Sequence, residues 1–382
     1  MSFEDHALSR GRFIKGAAAT VVGLSVLGAP AAATAARRRA AGAAVAEDMM
    51  SDLIAAAKKE GTLNTIALPP DWANYGEIME TFRKKYGIKV VNANPNASSA
   101  EENQAVVSLK GQKRAPDVLD VGPAFAIQGK ADGLYAPYKV STWSTIPASM
   151  KDPQGYWVGD YWGVVSFGVN TKVVKNIPTS WADLLKPEYK GQVALNGDPT
   201  SAGAAFAGVY SAALANGGSL ANIAPGIDFF KKLKDAGTFI PVGVTPATIA
   251  SGQTPIAIDW DYLNFGSAAA LKKSGVDFKV VVPKTGVYGA FYCQAINATA
   301  PNPNAARLWQ EFLYSDEGQI LFLKGGTHPA RFADLTKRGK IPANLLAALP
   351  SPAAYAKVRF ATNAQQTKAK EILAAQWASK VA

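Results

Sequence analysis

The stretch Leu63-Asn-Thr-Ile-Ala-Leu-Pro-Pro-Asp-Trp-Ala-Asn-Tyr-Gly-Glu-Ile-Met-Glu-Thr-Phe-Arg-Lys-Lys-Tyr-Gly-Ile-Lys-Val-Val-Asn-Ala93 changes its hydrophobic period twice. Leu63–Leu68 is a short apolar-rich run that reads as a strand. Tyr75–Tyr86 is amphipathic with helical spacing, and Gly87 stops it. Ile88–Ala93 returns to a strand pattern. Upstream, Asp48–Glu60 reads as a helix ending at Gly61. Downstream, Ala100–Lys110 is a helix with Ser98 or Ser99 as its N-cap and Glu101-Glu102 in its first turn. Val118–Val121 is a short buried strand. This β-α-β-α-β order predicts a parallel sheet in an α/β domain, with ligand-binding loops at the strand C-termini.

Residues 135–162 are rich in Pro, Trp, Tyr and Ser, and Trp162–Asn170 follows as a long strand. A second α/β unit begins near Ile177. It holds strand Val193–Leu195, helices Ala202–Ala215, Pro225–Ala236 and Thr245–Ser251, and strands Pro255–Ile258 and Phe278–Val282. The chain then returns through strand Ala290–Asn297, helix Pro303–Tyr314 and a helical tail, Thr367–Trp377. There is no internal repeat.

The 382 residues suffice for one large domain or two medium ones, each with its own core. Hydrophobic residues at 48% and charged residues at 18% exclude a disordered chain and a polytopic membrane protein. The net charge of +11 admits nucleic acid, an anionic membrane or an acidic ligand as partners. However, the lysines lie in scattered pairs (Lys58-Lys59, Lys84-Lys85, Lys231-Lys232, Lys272-Lys273) inside amphipathic segments and read as solvated faces. With neither zinc-ligand spacing nor an RNA-binding signature, no nucleic-acid partner is expected. The single cysteine, Cys293, forms no intramolecular disulfide and sits in an apolar run as a buried thiol.

The N-terminus reads as an address. Ser9-Arg-Gly-Arg-Phe-Ile-Lys15 is basic, Gly16–Leu27 is apolar, and Gly28–Ala36 supplies small residues at A-x-A spacing. These are the three parts of a secretory signal, here assigned to residues 1–36 with cleavage near residue 35. The apolar run is short for a membrane span. The basic segment resembles a twin-arginine signal, departing from it at Gly11, so twin-arginine and Sec export both stay open. Without a cysteine at the cleavage region no lipid anchor is expected. Residues 37–47 read as an unstructured leader remnant.

Pro178-Thr-Ser-Trp-Ala-Asp-Leu-Leu-Lys-Pro-Glu-Tyr-Lys-Gly191 is similar to the P-x-S-W-x-D-L-L-x-P-x-Y-K-G segment of type II substrate-binding proteins of ABC importers. Ala295-Ile-Asn297, Pro301-Asn-Pro-Asn-Ala-Ala306 and Phe312-Leu-Tyr-Ser-Asp-Glu-Gly-Gln319 resemble the return segment of the same family. The resemblance covers about residues 60–332. It is to the branch that includes spermidine/putrescine, thiamine, iron(III) and sugar-phosphate receptors. It implies an α/β fold of two lobes, each a mostly parallel sheet flanked by helices, joined by two crossovers near 160–163 and 286–290. Lobe 1 is assigned 48–162 plus 288–332. Lobe 2 is assigned 163–287 plus the C-terminal helices of 333–382. The implied function is a monomeric periplasmic receptor, free of cofactors and resident metal. It captures a small molecule in the cleft by hinge closure and presents it to a membrane permease.

The residues themselves nominate the cleft. Trp72, in the loop after the first strand, is one candidate. Tyr161 and Trp162 lie at the first crossover, Asp259, Trp260, Asp261 and Tyr262 just after strand 255–258, and Tyr288 at the second crossover. Acids beside aromatic rings suit an organic cation such as a polyamine or thiamine; packing of the hinge is the alternative use of the same residues. Thr200 and Ser201, like Ser98 and Ser99, open helices, where bare N–H groups favour a phosphate or carboxylate, or where the side chains simply cap. A phosphorylated or phosphonate solute is therefore a second reading. Iron(III) is a third, weakened by the lack of a Tyr-Tyr pair and by a single histidine, His328, beyond the signal. An exported hydrolase is the rival of another class. It lacks a G-x-S-x-G elbow and retains only Asp259 with Asp261 as a carboxylate pair. No enzyme is expected.

Overall fold

In a computed structural model, which describes residues 47–348, 355 and 357–381, the opening alternation folds as read. Helix α1 (47–60) leads into β1 (Thr62–Ile66). Then come α2 (Tyr75–Tyr86), β2 (Lys89–Ala93), α3 (Ser99–Ser108) and β3 (Val118–Val121). Gly87 ends α2 at φ 71°, a left-handed conformation that favours glycine, and its N–H closes on the Arg83 carbonyl. Ser98 caps α3 in a reciprocal box with Glu101. The signal and leader assignments at residues 1–46 lie outside the described residues.

The middle of the chain forms α4 (Pro123–Ala131), β4 (Tyr135–Ala136), β5 (Val158–Asn170), β6 (Val193–Leu195), α5 (Gly203–Ala215), α6 (Ala224–Asp235), α7 (Pro246–Ala250), β7 (Ile256–Trp260), α8 (Asp261–Lys272) and β8 (Phe278–Val281). The last part forms β9 (Gly289–Asn297), α9 (Pro303–Leu313), α10 (Asp316–Lys324), β10 (His328–Pro329), α11 (Phe332–Lys337), α12 (Ala343–Ala348) and α13 (Asn363–Lys380). Residues 52–382 make one compact unit.

Strand β5 organises the two lobes. Its first half, to Val164, pairs with β9 and β10; its second half, from Val165, pairs with β7 and β8. Strand β9 also carries β3 and β4, and β7 carries β6. The changeover lies at Val164–Val165, where the Val165 N–H bonds the Tyr288 carbonyl of the second crossing. A third strap runs alongside: Gly289 donates to the Arg359 carbonyl, and Arg359 donates to the Val287 carbonyl.

Two expectations change. The sheets are mixed rather than mostly parallel: only β1–β2 and β6–β7 are parallel pairs among the described strands. The reason is that β5 and β9 run between the lobes in opposite directions, and antiparallel neighbours need no helical crossover. Nor does the segment after residue 332 belong simply with lobe 2. Arg331, almost fully buried, donates to Thr145, the Tyr314 carbonyl and Asp334, and Arg338 pairs with Asp316, so α11 is tied to elements assigned to lobe 1. Helix α13 then touches both α6 and α4: Lys380 pairs with Asp228, Trp377 packs on Phe230, and the Lys370 ammonium lies 3.8 Å from the Phe125 ring centroid.

The Pro178–Gly191 motif builds part of the second lobe's core. Trp181 is buried against Phe167, Phe229 and Phe230. Its short 3-10 turn is capped by Ser180, whose Oγ accepts the Asp183 N–H, while the Asp183 carboxylate takes the Ser180 N–H in return. Ser180→Ala is expected to cost about 1 kcal/mol, read as a lowered urea midpoint at constant slope.

Candidate functional site

A cleft of about 840 Å³ opens among the loops that follow β1, β2 and β6 and the junction of β7 with α8. Its near side is built by Ala67–Trp72, by the turn 95–98 with the start of α3, and by Asp120 on β3. Its far side is built by the 196–204 turn into α5, by 244–246, and by Asp259 with one face of α8. Six carboxylates line it: Asp71, Glu101, Glu102, Asp120, Asp198 and Asp259. Among the described residues no Lys, Arg or His lines it. In a chain with 40 basic and 29 acidic residues that is a strong local reversal of charge.

An aromatic cluster packs behind the cleft, and its Trp72 and Tyr292 rings line it. Trp72 from the β1 loop meets Tyr262 and Tyr292 edge-on at 6.1 and 5.3 Å between centroids. Tyr161 stacks on Tyr292 at 5.9 Å and meets Tyr262 edge-on at 5.5 Å. Trp260 stacks on Tyr262 at 6.2 Å. Rings drawn from four separate segments thus pack edge and face around one spot, and two of them, Trp72 and Tyr292, reach the cleft wall.

Asp120 reaches this cluster from β3. Its Oδ2 accepts from the Tyr161 hydroxyl at 3.1 Å, while its buried Oδ1 has no hydrogen-bond partner among the described residues. Burial pushes its carboxyl up to about 7, against the opposing pull of its hydrogen bond from Tyr161. Asp160, on β5 beneath it, accepts from Tyr75 and Gln294; burial, then the neighbouring Asp120 charge, hold its proton on well above the usual range. Glu102 is buried, accepts the Asp120 N–H at 2.9 Å, and is likewise raised by burial and by Asp120. Across the cleft, Asp259 Oδ2 accepts from Asn196 at 2.8 Å and Oδ1 from the Trp260 N–H at 2.7 Å. Burial carries Asp259 to about 7.

The residues nominated from sequence divide accordingly. Trp72, Ser98, Ser99, Ser201 and Asp259 line the cleft. Tyr161, Trp260 and Tyr262 pack in the buried aromatic cluster and do not line the cleft. Trp162, the next residue along β5, faces the other way, stacked on His328 at 4.1 Å with Tyr355 and Phe360 around it. Asp261 also turns from the cleft. Its Oδ2 accepts from Tyr355 at 2.6 Å and its Oδ1 from the Val164 N–H, so it pins α8 to the crossing point. Tyr288 stacks on Tyr210 at 4.7 Å beside a separate small pit lined by Gly122, Gly203 and Gln366.

Of the nominated helix-opening residues only Ser98 is a side-chain cap; α5 opens at Gly203 without one. Thr200 gives both its N–H and its hydroxyl to Asp198, Ser98 caps α3, and Ser99 Oγ accepts the Gly122 N–H. The carboxylates Asp120 and Glu102, together with Tyr292, are absent from the sequence nominations. The available signal was an Asp inside Val118-Leu-Asp-Val121, a strand buried at every position. An acid there calls for a partner. Among the described residues no group of three His, Cys, Asp or Glu is arranged to hold a metal ion.

Residues 113–350 match the model of the bacterial extracellular solute-binding proteins, and the chain belongs to that family. The fold and cleft are thus those of a substrate-binding protein of an ABC transporter, a transport family rather than an enzyme family. An uncharacterized protein of Haemophilus influenzae is 30% identical over 264 residues, covering 65% of this chain and 71% of that one. The spermidine/putrescine-binding periplasmic protein of Escherichia coli is 28% identical over 265 residues, covering 64% and 71%. Among solved structures, the fructose-6-phosphate-bound periplasmic binding protein AfuA from Actinobacillus pleuropneumoniae shares the fold. Its TM-score is 0.66 at 22% identity, over 84% of this chain and 98% of that one. No described helix is long and apolar enough to cross a membrane.

Proposed function

We propose that this solute-binding protein captures an organic cation with two or more ammonium groups, of the polyamine class, and delivers it to its permease as an exported monomer. The observation that carries the reading is the cleft wall of six carboxylates, with no basic side chain among its described residues, beside the Trp72 and Tyr292 rings. Acids from both sides of the cleft give an extended polycation a charge partner at each end. The rings cover its methylene chain and add cation–π attraction. The relationship to a spermidine/putrescine-binding protein supports the same class. A phosphorylated solute meets like charge on this wall, and the opening of α3 is occupied by its own Ser98–Glu101 capping box. The N-terminal 1–36 segment supplies export, with cleavage near residue 35.

The test is a thermal-unfolding panel on refolded protein (residues 40–382) containing putrescine, spermidine, thiamine, glucose 6-phosphate, 2-aminoethylphosphonate and iron(III) citrate. Spermidine at about 100 times its dissociation constant is expected to add roughly 2.7 kcal/mol. Stabilisation by the phosphorylated compound, with none by either polyamine, overturns the reading.

A further inference from the structure

The Tyr161 hydroxyl joins two cleft groups that come from separate segments of the chain. It accepts the indole N–H of Trp72 at 2.6 Å and donates to Asp120 Oδ2 at 3.1 Å. Its ring is fully buried, locked between Tyr292, stacked at 5.9 Å, and Phe322 at 4.9 Å. Trp72 and Asp120 line the cleft, whereas Tyr161 does not. A hydroxyl has one proton to give. With the Trp72 N–H as donor on one side, that proton goes to Asp120 and fixes which carboxylate oxygen is engaged. The other oxygen, Oδ1, is left bare.

We propose that Tyr161 is a positioning residue for ligand capture: its hydroxyl holds the Trp72 ring and the Asp120 carboxylate in one fixed arrangement without itself touching the ligand. The proposal rests on the cationic reading of the cleft. Residue 161 sits on β5 three positions before the changeover between lobes, so this arrangement is anchored to the strand that both lobes share. The Tyr161 bond also favours the charged form of Asp120. The other titratable groups linked electrostatically to Asp120 are Tyr75 on α2, Glu102 on α3, Asp160 on β5, Tyr262 on α8, Tyr292 and Cys293 on β9, and Tyr314 after α9. Tyr161→Phe leaves all of them in place.

The variant Tyr161→Phe keeps the ring and removes only the relay. Three quantities decide its role. Spermidine affinity at pH 7, by calorimetry, is expected to fall about tenfold. The carboxyl-carbon titration of Asp120 in ligand-free, aspartate-labelled protein, assigned with Asp120→Asn, is expected to move up by about one pH unit. The urea midpoint is expected to change little, because the ring contacts persist. A lower urea midpoint with the Asp120 titration unmoved assigns Tyr161 a purely structural part and overturns the proposal, as does unchanged affinity in a protein that binds spermidine. If the wild-type protein binds no polyamine, the cationic reading falls, and the ligand-free titration still decides the relay: a shift upholds it and an unmoved midpoint overturns it.

Discussion

Asp120→Asn is expected to weaken spermidine binding by roughly a hundredfold or more, about 3 kcal/mol, while leaving the ligand-free protein as stable as before or more so. The two halves of this result have one cause. Asp120 is buried, and its Oδ1 has no partner among the described residues, so in the empty cleft its charge is a net cost. That cost is recovered only when a cation arrives. In the variant the Tyr161 hydroxyl still finds an acceptor, the amide oxygen, which turns the amide NH2 toward the position of Oδ1. The ligand ammonium then faces the positive end of a dipole instead of a carboxylate. Calorimetry of spermidine binding and thermal unfolding without ligand measure the two halves separately. Equal affinity in the variant would show that Asp120 does not contact the ligand.

Much of the frame behind that expectation is legible in sequence, for local reasons. Gly61 and Gly87 both adopt positive φ, and both end helices where the periodicity runs out. The strands 118–121, 193–195 and 290–297 are apolar runs too short for helices. What could not be read was set by contacts distant in sequence. Asp259-Trp-Asp-Tyr262 resembles a polar loop, yet β7 continues through Trp260 and α8 starts at Asp261. Its acids therefore diverge, Asp259 into the cleft and Asp261 onto Tyr355, a partner 94 residues away. Tyr161 and Trp162 are indistinguishable as candidates until the pleat of β5 assigns them opposite faces. The placement of α11 depends on Arg331 meeting Thr145 across 186 residues. Periodicity reports which side of an element is buried and not what lies opposite it.

The division of acids between segments before and after β5 bears on how the cleft works. Asp71, Glu101, Glu102 and Asp120 precede that strand, and Asp198 and Asp259 follow it. Bringing these groups around an empty space opposes closure through like charge, and a polycation between them removes the opposition. A neutral or anionic solute of the same size does not. On the polyamine reading proposed above, selectivity then resides in the free energy of closing as well as in contact with the ligand.

Protonation removes the same opposition, which leads to the second large effect: spermidine affinity is expected to rise steeply between pH 6 and pH 8. Burial holds Asp120 and Asp259 at about 7, so both are largely neutral at pH 6 and largely charged at pH 8 when the cleft is empty. The ligand's amines, resembling lysine, stay protonated throughout. Each carboxylate that must lose its proton contributes up to about tenfold per pH unit below its midpoint. Over the whole range the two together give an increase of roughly ten- to a hundredfold. Stability of the ligand-free protein has the opposite slope. These groups titrate near 4 when unfolded. The folded state therefore holds extra protons between pH 4 and 7, its contribution is full below the unfolded value, and it is lost as pH rises through 7. Raising the pH is thus expected to lower the melting temperature of the empty protein and to widen the shift that spermidine produces. Calorimetry in buffers of different ionisation enthalpy should register proton release on binding at pH 6.5, and about half of that release should disappear in Asp120→Asn. A dissociation constant that stays flat from pH 6 to pH 8 would mean that neither carboxylate changes charge when the cleft fills.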